Sequence, residues 1–244
     1  MLPYERYKKE KAMAGTAVHL AVADLICERL GNDKFNLPLF YSGNIAPDAI
    51  HSRIGYQREF KKHTHLTEGM GGADFQIPEK VAIFHERLIN FINERMAEKG
   101  EYYDLYLGYV CHLVVDEFFN VTLRKKMVEA MEKDNIPAEG PQLARAILFD
   151  MDIVDSEIMA KYPFKNDVQS ILSKVWDIDI PDMVTAEETN KSKKWVIDKL
   201  FTKTENIATA KYYSYSEALQ LINYCADTII ERFTNSEKFP AIFF

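Results

Sequence analysis

The chain has 244 residues, 47% of them hydrophobic, enough to bury a sizeable core and to exclude a disordered tail or a disulfide-stapled miniprotein. Its net charge of −7, with no basic block, excludes the electrostatic footprint of a general nucleic-acid binder. Three cysteines, an odd number with no Cys-x-x-Cys pair, argue against a disulfide framework or a zinc ribbon and fit a reducing compartment.

The predicted elements are helices. In residues 12–30, apolar positions such as Ala14, Val18, Ala21, Val22 and Leu25 recur at spacings of three and four, and Gly31 is a natural stop. His19 shares a face with Val22, Ala23 and Ile26 and is expected to point inward. Residues 32–78, punctuated by Gly43, Pro47, Gly55, Gly69, Gly71, Gly72 and Pro78, read as a long, mostly irregular connection. An amphipathic helix is predicted over 79–99 and a long, very apolar one over 101–133, the central helix of a bundle. Further helices are expected over 142–161, 166–176, 193–202 and 215–233, with 177–191 as a surface loop. Asp150, Asp152, Asp155 and Glu157 read as a solvated helix face. No run alternates like a strand. The fold class is all-α, a multi-helix bundle forming one domain over 1–244, with a metal-site half (1–134) and a helical C-terminal half (135–244).

The longest uncharged stretch, 35–47, has 13 residues, short of the roughly 20 a membrane-spanning helix needs. No signal peptide is evident in the charged N-terminus, so a cytoplasmic protein is expected.

Chemistry is concentrated in the first half. All six histidines lie between His19 and His112. His112-Leu-Val-Val-Asp116 sets two ligand types at i and i+4 on one helix face, where both can meet one ion. A buried Asp is costly unless paired or metal-bound, so the pair is either a ligand pair or a His–Asp hydrogen bond in the core. Asp48, after Pro47, is either turned inward from a loop or an ordinary turn residue. His63 and His65 lie two apart, so in a helix their side chains diverge and at most one need be a ligand. Lys61, Lys62 and Arg58 can hold a phosphate or form a solvated charge run. His51 is either a plain loop residue or a neighbour of the site, and His85 is expected to have no ligand role. His19, one of His63 and His65, and His112, with Asp48 and Asp116, make a mixed nitrogen and oxygen set. Such a set suits zinc or another divalent transition metal.

The order His19, Ala-Pro-Asp48, His65-Leu66, Gly-Tyr-x-x-His112-x-x-x-Asp116 resembles the zinc-dependent phospholipase C family of the all-α phospholipase C/P1 nuclease superfamily. The resemblance covers the first half, to about residue 120. It implies that Asp48, His65 (His63 being the alternative), His112 and Asp116 hold one zinc ion, and that His19 contributes to a second, bridged by Asp116. It also implies a phosphate-ester substrate, a phosphodiester by preference, with Asp48 as the residue that orients or deprotonates water. Family enzymes with three metals also use an N-terminal Trp and later histidines and a Glu. Here no Trp precedes Trp176 and no His follows His112, so a mono- or dinuclear site is expected. The rival is a non-catalytic relative whose residual metal site is structural or binds a ligand. HD-type phosphohydrolases rank last, because they need an adjacent His-Asp pair and none occurs.

Overall fold

A computed structural model describes residues 15–97, 99–202 and 208–234. Among these the architecture is all-α, as the periodicity implies. The α-helices are α1 (Thr16–Leu30), α2 (Leu37–Ile45), α3 (Arg58–Thr64), α4 (Pro78–Met96), α5 (Tyr103–Phe119), α6 (Lys125–Lys133), α7 (Pro141–Lys161), α8 (Val168–Leu172), α9 (Ala186–Trp195) and α10 (Tyr215–Thr234). The one β-type pairing among the described residues is the isolated bridge between Ile180 and Val184. The start expected for the first helix, 12–14, lies outside the described residues, as does the N-terminal decapeptide.

Residues 32–78 are more ordered than the sequence suggests. They hold α2, α3 and the 3-10 turns Asn32–Lys34, Pro47–Ser52 and Gly72–Gln76. Asn36 caps α2 by accepting the Leu39 amide, and Pro38 sits in the first turn, where its missing N–H costs nothing. The helix escapes periodicity because it is buried from Leu39 to Ile45 on every side and so has no polar face. Gly43, read from sequence as a turn former, lies inside this helix.

Its partner is α5, and the two backbones touch. A Cβ on Gly43 would lie 2.0 Å from the Leu105 carbonyl oxygen, and one on Gly108 would lie 2.1 Å from that of Phe40. Only hydrogen at both positions permits this approach. The apolar helix α1, with Ala17, Leu20, Ala21, Val22, Ile26 and Cys27 fully buried, packs on α2, α7 and α10. Asp24 on α1 ties in the chain before α8, accepting from Tyr41 Oη (2.9 Å), the Lys165 amide (2.8 Å) and the Asn166 side chain (2.8 Å).

The long helix expected over 101–133 is split by a π-helical turn at Asn120–Arg124, and the one expected over 193–202 is the π-helical turn Val196–Leu200 continuing α9. The segment 177–191 is not a surface loop. Ile178, Ile180, Met183 and Val184 are buried, and α9 begins inside it behind a Thr185–Glu188 capping box. The acidic face of α7 also departs from expectation: Asp150 and Asp155 are buried, and Asp150 accepts the backbone amides of Lys211 and Tyr212. The three cysteines are buried and unbridged, and burial pushes their thiols up. No helix among the described residues is long and apolar enough to cross a membrane.

The Gly43–Gly108 contact can be tested directly. Gly108→Ala must force α2 off α5 because the obstructing atoms are backbone, and should destabilise the protein by about 3 kcal/mol or more in urea denaturation. Wild-type stability in this variant would contradict the close crossing.

Candidate metal centre

The crossing of α2 and α5 aims one histidine. It brings the Asn44 carbonyl at the end of α2 to 2.8 Å from His112 Nδ1 on α5. A carbonyl can only accept, so Nδ1 carries the proton and Nε2 presents its lone pair. Burial first, and then the charge of neighbouring His19, pushes the His112 pKa down to about 3, so the ring is neutral near pH 7.

His65 is aimed in the same way. It follows α3, where Leu66 takes a left-handed conformation (φ 56°) and turns the chain away. His65 Nδ1 lies 3.0 Å from the Lys61 carbonyl, which fixes its proton there too. Thr64 Oγ1 donates to the Pro47 carbonyl at 3.0 Å and the Thr64 carbonyl accepts from Tyr109 Oη, joining this helix end to the Asp48 turn and to α5. Arg53, at the end of the Asp48 turn, makes a bidentate pair with Glu188 (2.6 and 3.0 Å) and donates to the Met183 carbonyl. The C-terminal half thus holds the turn that carries Asp48.

The result is a cluster of acceptors. His65 Nε2 lies 3.3 Å from His112 Nε2, 3.3 Å from Asp48 Oδ1 and 3.4 Å from Asp116 Oδ2. His112 Nε2 is 3.8 Å from Asp116 Oδ2. A tetrahedral zinc ion with ligands at about 2.0–2.1 Å has ligand–ligand edges of about 3.3 Å. The three distances from His65 Nε2 match that figure, and the His112–Asp116 distance is longer. Imidazole lone pairs and carboxylates facing one region repel one another unless a cation lies between them. Asp48, His65 and His112 lie close enough together to hold a metal ion.

His19 also joins the group. Its ring stacks on His112 (centroids 3.7 Å apart, planes 7° apart), and its Nε2 lies 3.4 Å from Asp116 Oδ1. His19, His112 and Asp116 form a second set of adjacent donors. The two sets share His112, whose single free nitrogen serves one ion. Outside the set of Asp48, His65 and His112, His19 and Asp116 remain of the five predicted ligands.

Electrostatics keeps both carboxylates ionised. Burial pushes Asp48 up, but the Lys61 ammonium 2.7 Å away, with a hydrogen bond from His51, outweighs it and holds the acid well below the usual range. Asp116 is likewise held low: burial opposes ionisation, and the His19 hydrogen bond and the neighbouring imidazoles overcome it. Lys61 is raised in turn, because Asp48 and Asp116 outweigh its own desolvation. The Asp116 side chain keeps 31% of its exposure and faces a cavity of about 180 Å³ that Lys61, His65, Phe84 and Leu113 also line.

Among the predicted residues, His19, Asp48, His65, His112 and Asp116 come together, whereas His63 lies outside the cluster, half-exposed and paired with Glu68 at 2.7 Å. His85 is not a ligand neighbour: it bonds Glu117 (2.8 Å), which also meets Arg232 of α10 (2.8 Å). His51, weighed in the sequence as a neighbour of the site, lies 3.5 Å from Asp48 Oδ1. Sequence reasoning missed one pairing. Lys61, read as part of a charge run, is the direct partner of Asp48, and its place one helical turn before His65 was the available signal.

Fold and side chains together define an all-α protein with histidine and aspartate groups positioned to hold a metal ion. Residues 18–119 match the family described as zinc dependent phospholipase C, bearing out the sequence resemblance over the segment that holds all five residues. No curated protein and no solved structure matches the chain.

The depressed His112 pKa has a sign that can be checked. Its folded value (about 3) lies below the ordinary 6.5, so the unfolded chain takes up this proton first as pH falls. The metal-free protein should lose stability progressively from pH 6.5 toward 3, and His112→Asn should remove that part of the decline. Urea denaturation at stepped pH reads this, and an identical decline in the variant would contradict a neutral buried His112.

Proposed function

We propose that the protein is a zinc-dependent hydrolase of phosphate esters, acting on phosphodiesters by preference. The observation that carries the reading is the convergence of Asp48, His65 and His112, from the Asp48 turn, the end of α3 and α5, beside a cavity that Asp116 lines. The phosphodiester preference rests on the family match over residues 18–119.

A zinc ion held by three of these side chains, among them His65 and His112, would supply Lewis acidity toward a phosphoryl oxygen and make water easier to ionise near neutral pH. The chain supplies the rest. The carbonyls of Asn44 and Lys61 fix the ligand rings, which limits reorganisation during the reaction. Asp48, kept ionised by Lys61, is the group that orients the attacking water or accepts its proton where it is not itself a tight ligand. Lys61 is a positioning residue that acts through Asp48.

A second reading, a non-catalytic relative with a structural metal, is favoured by one observation: Lys61 already neutralises Asp48 at 2.7 Å. Metal analysis and assay separate the two. Protein purified without added metal should contain zinc near one equivalent and hydrolyse bis(p-nitrophenyl) phosphate, and chelator should abolish the activity. His112→Ala should lose both metal and activity. Metal with a chelator-sensitive melting temperature but no hydrolysis of any phosphate ester would favour the structural reading, and no metal at all would sink both.

The role of Lys61 has its own readout. Lys61→Met removes the cation that depresses the Asp48 acid, so the acid limb of the pH–rate profile should move to higher pH. An unmoved limb with a reduced rate would contradict this role.

A further inference from the structure

The cavity beside the ligand cluster carries more positive charge than the cluster uses. Arg58 and Lys62, one turn apart on α3, line it together with Gly71 and Gly72. Arg124, at the end of the π-helical turn, is half-buried and lies across Gly72, where a Cβ would come within 2.4 Å of its Nε. Burial, and then the charge of Arg58, pushes the Arg124 guanidinium down. Elsewhere the arginines near the core have counter-charges: Arg53 meets Glu188, Arg232 meets Glu117 and Arg29 meets Asp227. Arg58, Lys62 and Arg124 make no ion pair or side-chain hydrogen bond with any described residue. In a chain of net charge −7, two uncompensated cations lining one cavity and a third lying across its Gly72 mark a place for an anion. The opposite wall, Met70, Phe75, Phe84 and Leu113, is apolar.

We propose that Arg58, Lys62 and Arg124 form a second anion subsite, and that the substrate is a phosphate ester carrying a further phosphoryl group on an apolar or aromatic body. The first phosphoryl group meets the metal centre and the second meets these cations. Two guanidinium forks and an ammonium suit a phosphoryl dianion, since arginine binds its oxygens in pairs. The apolar wall takes the organic part. Gly72 contributes by leaving room for Arg124. This inference rests on the hydrolase reading for its first phosphoryl contact only.

The test uses two non-hydrolysable probes, phenylphosphonate and meta-phenylenediphosphonate, titrated calorimetrically into zinc-loaded protein whose zinc content is verified afterwards. The diphosphonate should bind about tenfold or more tightly than the monophosphonate. Arg124→Gln and Arg58→Gln should each remove most of that advantage while moving phenylphosphonate affinity about twofold or less. Gly72→Ala, which keeps every charge but displaces the Arg124 guanidinium, should act like Arg124→Gln. The exposed position of Arg58 keeps the test interpretable if an Arg124 variant folds poorly. Equal affinity for the two probes, or an advantage that survives all three variants, would overturn the subsite and leave the metal reading standing. A variant-sensitive diphosphonate preference that persists after zinc removal, with no phenylphosphonate binding, would support the subsite and overturn the metal reading. No binding of either probe would overturn both.

Discussion

The centre depends on the contact between Gly43 and Gly108, where α2 and α5 meet backbone to backbone. This approach carries the Asn44 carbonyl to His112 and so decides which nitrogen of that ring bears the proton. The same face of α5 presents Asp116 one turn later, and Tyr109, one residue after Gly108, fixes the end of α3 that carries His65. A glycine contact with no chemistry of its own therefore sets the tautomer of one ligand and the position of two others. Hydrogen-bonded carbonyls behind ligating imidazoles are a general device for orienting them and raising their basicity.

Charge balance is the second constraint. Asp48 and Asp116 face one small region, and burying two carboxylates together is costly without compensation. Lys61 compensates Asp48, and the imidazoles of His19, His65 and His112 surround Asp116. On the next residue of α5 the chain solves a similar problem by other means: Glu117 points away from the centre and is held by His85 of α4 and Arg232 of α10. Adjacent acids on one helix thus divide the work. Asp116 serves the site, and Glu117 binds the last helix to the first half. With the Arg53–Glu188 pair, this gives the histidine-free C-terminal half a role as a brace for the ligand-bearing turn and helix.

Periodicity reads well where a helix has one wet face. The spans of α4, α7 and α10 follow the sequence to within a few residues, because each keeps a polar side. It fails for α2, which is enclosed on all sides and contains Pro38 and Gly43, residues that otherwise punctuate loops. It fails again at 178–184, where alternate apolar residues are buried by an irregular turn rather than by a helix face. The candidate residues His19, Asp48, His65, His112 and Asp116, which the fold brings together, could be picked out because chemistry constrains their order and type. The partners of Lys61, Arg124 and Glu117 were hidden, since a charged residue declares its partner only once the chain has folded. Asp150 shows the same limit: it binds backbone amides sixty-odd positions away, and no local pattern records that.

The central claim is that histidine and aspartate side chains, with no sulfur, are positioned to hold a zinc ion. X-ray absorption at the zinc edge, on protein loaded with one equivalent, tests it most directly. The geometry predicts a first shell of nitrogen and oxygen neighbours only, at about 2.0–2.1 Å, with the outer scattering of imidazole rings. A first shell containing sulfur, or one without imidazole scattering, would contradict it.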